Sequence, residues 1–356
     1  MGGVSAPCPQ RRPAVPEGVR HFSRDFMGIT VQDSFKGDPD IKHRCWILSQ
    51  RFFRPLVYAA ASMIIVTLLL IHGSGLVLFR ANNLGRQCFE NPIKNRDSLR
   101  KYNIAMVTAS DESGSNPSRS FQGLMKLVEP NKKSYAERHG YEFIDASDVV
   151  DKNRPPSWSK ILAVRNNLPN YDWIFWNDAD SLVTNPNISL EDVLYSITGD
   201  MDYEKMPDFI VTEDVTGVNA GMFFFRNSEW SRMFLDRWWN QTSFIRPLGQ
   251  SKSGDNDALK HLIRTMDPDE KRHVRIPRMQ CVFNSNMWSP SWKSSHRLMT
   301  LTKTVWRGVY AKGDFMVHLA GLNDKKKWVT KILHQIEEEE GMFKDRIFRD
   351  LNMIRF

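Results

Sequence analysis

Asp178-Ala179-Asp180 follows directly on the apolar run Trp173-Ile174-Phe175-Trp176 and Asn177, and it is the group with the most chemistry to offer. In an extended chain, alternation sets Asp178 and Asp180 on one side. Two carboxylates can then converge on one hard divalent cation and on the oxygens of a bound phosphate. Such a cation offsets the charge that develops on a departing diphosphate. The plain alternative is a turn or helix-capping pair, and a D-x-D triplet by itself occurs widely.

A second group is Phe315-Met316-Val317-His318-Leu319-Ala320-Gly321, followed by Lys325-Lys326-Lys327. An imidazole that ends an apolar strand can complete a carboxylate-held metal site, and that ligand mixture suits Mn²⁺. Gly321 would admit a phosphate close to the backbone, and a lysine such as Lys325 could neutralise it. Taken alone, a core histidine and a solvated lysine face explain the same residues. A third group, Ser253-Gly254-Asp255-Asn256-Asp257, enters an apolar helix, with Asn219-Ala220-Gly221 on another strand. A carboxylate and an amide at a helix N-terminus can hold sugar hydroxyls, and a capping box accounts for them equally.

The elements that would position these groups alternate. Strands are expected at Ile104 to Thr108, Tyr141 to Asp145, Trp173 to Trp176, Phe209 to Thr212 and Gly221 to Phe225. Between and after them come helical stretches: Ser118 to His139 with Pro130 interrupting or kinking it, Ser157 to Leu168, a start at Ser189 with Asp192, then Glu229 to Trp239 and Asp255 to Arg264. This order predicts an α/β domain with a mainly parallel sheet wrapped by helices, whose site lies at the carboxyl ends of the strands.

The 356 residues are 41% hydrophobic and 25% charged, which excludes a disordered, collagenous or disulfide-stapled chain. From Pro55 to Phe79 there is no formal charge. Such a run is long enough to cross a bilayer core of roughly 30 Å and lies too far from the N-terminus for a cleaved signal peptide. The expected organisation is therefore a mostly disordered cytoplasmic tail over 1–54, a transmembrane signal anchor over 55–79, a short stem over 80–101 and a luminal domain over 102–356. Of the net charge of +8, the first 54 residues hold nine Lys/Arg against five Asp/Glu. The dilute remainder is no nucleic-acid footprint, and no nucleic-acid partner is expected. Lys42, Arg44, Arg51 and Arg54 before the run, against Arg80, Arg86 and Lys94 after it, favour a cytoplasmic N-terminus. In a lumen, Asn187-Ile188-Ser189 and Asn240-Gln241-Thr242 are sequons, and Cys88 and Cys281 could form one bridge or stay as two free thiols.

Six motifs in order carry a resemblance to a known family. They are Thr108-Ala109-Ser110, Trp158-Ser159-Lys160, Trp176-Asn177-Asp178-Ala179-Asp180, Asn219-Ala220-Gly221 with Phe225-Arg226-Asn227-Ser228, Asp255-Asn256-Asp257-Ala258-Leu259, and His318-Leu319-Ala320-Gly321. The stretch from Ile104 to Trp328 resembles glycosyltransferase family 34, which comprises fungal α-1,2-galactosyltransferases and α-1,6-mannosyltransferases, plant xyloglucan xylosyltransferases and galactomannan galactosyltransferases. The resemblance implies a Golgi type II membrane enzyme with a GT-A (Rossmann-like) fold, Mn²⁺ dependence and retention at the anomeric carbon. Its donor would be a nucleotide sugar, UDP-galactose or UDP-xylose, and its acceptor an oligosaccharide, polysaccharide or N-glycan. Carried over by position, Asp178, Asp180 and His318 would ligate the metal, and Thr108 would contact the nucleotide. Lys160, Gly321 and Lys325 would serve the diphosphate or donor sugar, with Asp178 also at the donor. Asn219, Asp255 and Asn256 would line the transfer site. Plant members read D-D-Q where this chain has Gly254-Asp255-Asn256, so one acidic residue is missing here. A scaffolding or glycan-binding subunit of a Golgi transferase complex is the competing reading. Homo- or hetero-oligomerisation with other Golgi transferases is left open.

Overall fold

A computed structural model describes residues 39–84, 86–91, 99–112, 121–250 and 252–353, with side chains given for those between 53 and 339. The expected disordered tail falls mostly on 1–38, and the expected helix start near Ser118 falls on 113–120. Both lie outside the described residues. Helix α1, Pro39–Asn83, begins well before the uncharged run and ends beyond it. Its stretch Phe53–Asn83 is long and apolar enough to cross a membrane. The chain divides into two compact units, Met1–Ala61 and Ser62–Phe356, and the second holds the catalytic motifs.

That unit runs β1 (Ile104–Thr108), α2 (Met125–His139), β2 (Glu142–Asp145), α3 (Ser159–Asn167), β3 (Trp173–Asn177), β4 (Ser181–Val183) and α4 (Leu190–Thr198). It continues with β5 (Phe209–Asp214), β6 (Gly217–Arg226), α5 (Glu229–Trp239), α6 (Asp255–Thr265), β7 (Val274–Arg275) and β8 (Ser285–Asn286). Last come α7 (Trp292–Thr300), α8 (Thr302–Gly308), β9 (Met316–His318) and α9 (Lys325–Met353). Six strands form one sheet in the order β2-β1-β3-β6-β5-β7, and β4-β9-β8 form a smaller one.

Alternate residues of the large sheet feed two cores. Ala105, Val107, Ile174, Trp176, Phe223 and Phe225 point to one face, where Trp158, Val164, Phe234, Trp238 and Leu259 of the α3, α5 and α6 side cover them. Ile104, Met106, Trp173, Phe175, Met222 and Phe224 point to the other, against Tyr135, Leu190, Val193 and Leu194. Burial on both faces explains the unbroken apolar runs. The sheet is an α/β/α sandwich of the expected class, but its pairing is mixed. β1 is parallel to β2 and β3, whereas β6 lies antiparallel to both β3 and β5. The expected mainly parallel sheet holds for five of the six strands, and β6 is the exception: the short Gly217 turn returns the chain beside β5 as a hairpin, where no crossover helix intervenes.

Pro130 sits inside α2 without ending it. Ser189 and Asp192 form the expected capping box of α4. The described part of the segment expected as a short stem is held to the domain. Arg86 Nη2 donates to both Asp314 carboxylate oxygens at 2.8 and 2.7 Å, and Cys88 is bonded to Cys281. Asn91 Nδ2 donates to Ser196 O at 2.8 Å.

Candidate active site

β3 ends at Asn177, and the chain turns through Asp178 and Ala179 into β4. β4 pairs antiparallel with β9, Ser181 opposite His318, so the small sheet delivers the imidazole to the two carboxylates. Asp178, Asp180 and His318 each offer a ligand atom within 4.8 Å of the others. His318 Nε2 lies 3.4 Å from Asp180 Oδ1 and 3.9 Å from Asp178 Oδ2.

The imidazole is oriented from behind. Asn284 Nδ2 donates to Thr212 Oγ1 at 2.9 Å, which turns its carbonyl oxygen to His318 Nδ1, 3.0 Å away. This network assigns a proton to Nδ1 and aims Nε2 at the carboxylates, the atom that would ligate a metal there. Gly221 makes room for the ring: a Cβ there would stand 2.1 Å from His318 Cε1. Two hard oxygens and one borderline nitrogen fit a divalent cation such as Mn²⁺.

Two buried lysines flank the carboxylates. Lys160, on α3, donates to Asp178 Oδ1 at 3.0 Å and to Ala220 O at 2.8 Å, with Asp255 Oδ2 at 3.4 Å. Burial opposes its charge, but Asp178 and Asp255 outweigh burial and hold the ammonium above the ordinary lysine range. Lys325, the first residue of α9, donates to Asp180 Oδ2 and, at 3.0 Å, to Leu319 O. Burial would raise the Asp180 carboxyl, yet Lys325 and His318 hold it well below the usual range.

A cavity of about 330 Å³ opens over this group, lined among others by Asp111, Lys160, Asp178, Asp180, Asp214, Asn219, Asp255, Asn256, His318, Gly321 and Lys325. Its size and its few convergent polar groups are those of a small-molecule site. Asn219 bridges inward, donating from Nδ2 to Asp214 Oδ2 at 2.7 Å and accepting from Gly221 N at 2.8 Å. Asn256 Oδ1 accepts from Ala220 N at 2.8 Å, so the start of α6 is tied to β6. Asp255 bonds Ser253 Oγ through one oxygen and faces Lys160 with the other. Gly254 has φ +95°, and a Cβ there would lie 1.8 Å from Phe244 O. No aspartate fits that backbone, so the glycine follows from the path of this loop.

Of the ten expected residues, nine converge on the cavity. Thr108 does not reach it: it is fully buried beneath, and its Oγ1 accepts from Lys132 Nζ at 3.2 Å. Lys132 was not expected. Its Nζ also donates to Asp178 O at 3.0 Å, and burial, against the pull of Asp180 and Asp178, pushes the ammonium down to about 7. The readable signal was its place between Val128 and Ala136 on the buried face of α2. Asn284 was also missed, since it lies in an irregular stretch without periodicity.

A family model described as the galactosyl transferase GMA12/MNN10 family matches residues 100–328, which is most of the chain and all of the site. The chain belongs to this family. The resemblance to glycosyltransferase family 34 is thereby borne out, and the GT-A type α/β fold with it. An uncharacterised α-1,2-galactosyltransferase of Schizosaccharomyces pombe is 27% identical over 58% of this chain and 58% of its own length. A probable α-1,6-mannosyltransferase, MNN10, of Saccharomyces cerevisiae is 29% identical over 37% of this chain and 40% of its own. This family 34 member thus spans only part of the length of these curated relatives. Among solved structures it is similar to a glycosyltransferase involved in glycosylation of the PBCV-1 major capsid, at 11% identity and TM-score 0.42 over 65% of this chain and 99% of that one. It is also similar to the galactosyltransferase LgtC, at 13% identity and TM-score 0.39 over 66% and 95%.

Proposed function

We propose that the protein is a retaining glycosyltransferase that moves a hexosyl or pentosyl group from a nucleotide sugar, UDP-galactose or UDP-xylose, to a glycan acceptor. The observation that carries this reading is the convergence of Asp178, Asp180 and His318 beside Lys160 and Lys325 at one cavity. Asp178, Asp180 and His318 would hold Mn²⁺, which when bound supplies positive charge to a departing diphosphate. Lys160 and Lys325 add fixed charge at the same place in a poorly solvated site, where it counts most. Lys325 pairs with Asp180 Oδ2 and leaves Oδ1 beside His318, so Asp180 would hold the cation through Oδ1 with the ammonium next to it, where it would add charge for a phosphate. Both oxygens of Asp255 are engaged, which suits a residue that positions Lys160 and a sugar hydroxyl better than a covalent nucleophile. Transfer on one face, assisted by the leaving phosphate, is accordingly the favoured course. The names of the S. pombe and S. cerevisiae relatives, a galactosyltransferase and a mannosyltransferase, support a hexose as the first donor to test.

The uncharged run in α1 supports a single-pass anchor with the catalytic unit in the Golgi lumen. Asn187 and Asn240, both exposed, suit glycosylation there. Asp180→Asn in the full chain should abolish Mn²⁺-dependent hydrolysis of UDP-galactose and UDP-xylose. Unchanged turnover would sink the metal assignment. A wild-type chain that neither binds nor hydrolyses any nucleotide sugar would favour the scaffolding subunit.

A further inference from the structure

Helices α7 and α8 carry an apolar, basic outer face that no part of the catalytic reading uses. Among the described residues, apart from α1 and the neighbouring Leu84, the exposed large hydrophobic residues are Met201, Met233, Leu248, Trp292, Met299 and Leu301, and the last three sit together on this hairpin. Trp292 and Met299 are two helical turns apart and therefore share a face, each 55% exposed. From residue 271 to 313 the chain contains no Asp or Glu, while α7 and α8 bear Lys293, Arg297, Lys303 and Arg307.

The neighbouring face of the hairpin, which carries Ser295 and Leu298, is docked on the end of α1. Ser295 Oγ donates to Leu70 O at 3.1 Å and lies 3.5 Å from Ser74 Oγ. Leu78 packs with Leu298, Val305 and Val309 in one buried cluster. Leu70 and Ser74 lie inside the uncharged run, which continues to Phe79. At 1.5 Å per residue, α7 is therefore level with roughly the last 14 Å of the apolar stretch. Leu76, Val77 and Phe79 remain exposed along the same stretch. Any medium that covers those side chains also reaches the outer face of α7.

We propose that α7 is a membrane-surface helix, with Trp292, Met299 and Leu301 seated in the interface of the bilayer that α1 crosses and the surrounding Lys and Arg side chains at its phosphate headgroups. The catalytic unit is thereby held at a fixed attitude to the membrane. This inference rests on the reading of α1 as an anchor.

The test uses the full chain with Cys8 and Cys45 replaced by serine and the Cys88–Cys281 bond intact, reconstituted in phosphatidylcholine nanodiscs. A nitroxide is attached at Met299→Cys, at Leu69→Cys on α1, or at Met233→Cys on α5, all exposed positions, and its relaxation by oxygen is compared with relaxation by a water-soluble nickel chelate. The oxygen-to-nickel ratio at Met299→Cys should exceed that at Met233→Cys several-fold and approach that at Leu69→Cys. Trp292→Cys should repeat the result if one label disturbs packing. A ratio at both α7 positions equal to that at Met233→Cys, with Leu69→Cys in lipid, overturns the membrane-surface helix and leaves the anchor standing. A water-exposed Leu69→Cys overturns both.

Discussion

The geometry of the proposed metal site depends on the absence of a side chain at Gly221. Gly221 brings its backbone against His318, and a methyl group placed there would stand 2.1 Å from the ring. The ring is held on its other side by Asn284, so it has no free direction in which to yield. Gly221→Ala should therefore lower the affinity for Mn²⁺ by about tenfold or more, the loss typical when a ligand's support is disturbed. Isothermal titration with Mn²⁺ measures this, and an unchanged affinity would refute the account. A second single-residue effect lies far from the site. Burial, aided by the charge of Asp172, pushes the Tyr203 hydroxyl up to about 12. The folded chain then keeps a proton that the unfolded chain loses near pH 10, so stability falls as pH rises from about 10 toward 12. Tyr203→Phe should remove that loss, which urea unfolding at pH 9 and pH 11 would reveal. Of the two supporting residues at the site, Lys132 could be read from sequence as a lysine at buried helical spacing. Asn284 could not, because its role exists only once β9 and the segment before β8 meet.

At the scale of elements, what was legible followed burial. β1 and β3 are covered on both faces and read as unbroken apolar runs, and α5 matches its expected ends at Glu229 and Trp239. The direction of β6 was not legible, since a doubly buried strand has the same composition whether it runs parallel or antiparallel. The long approach to α6 was read only as a polar loop. Its geometry explains Gly254, whose φ of +95° and contact with Phe244 O set where Asp255 and Asn256 begin the helix. Gly254→Ala should cost about 1–3 kcal/mol of stability, the usual range for a residue forced into this backbone region. Because Asn256 ties the helix start to Ala220 and Asp255 faces Lys160, turnover should fall more than stability does. Denaturant unfolding and donor hydrolysis on the same variant separate the two effects. Equal activity at a lowered midpoint would show that the helix start does not position the site.

For the whole molecule, the decisive link is between the segment after α1 and the domain that carries the site. Sequence left Cys88 and Cys281 open, as two thiols 193 positions apart have no spacing to read. Folding brings their Cα atoms to 5.4 Å, within disulfide reach. Around the bond, Arg86 lies buried against Asp314, which also accepts from Ser285 Oγ at 2.7 Å, and Ser285 belongs to the strand beside β9. The strap is thus fastened to the same small sheet that presents His318. Cys88→Ser removes a cross-link that limits the unfolded chain and should cost about 2–5 kcal/mol. The Arg86 pair and the Asn91 contact remain, so the strap should stay docked at low temperature and Mn²⁺ affinity should change little. Thermal unfolding of the variant, compared with the wild type before and after reduction, tests this. A variant as stable as the oxidised wild type would mean that the ionic contacts alone fasten the strap. A loss of Mn²⁺ affinity at full stability would mean that the bond also sets the position of β9.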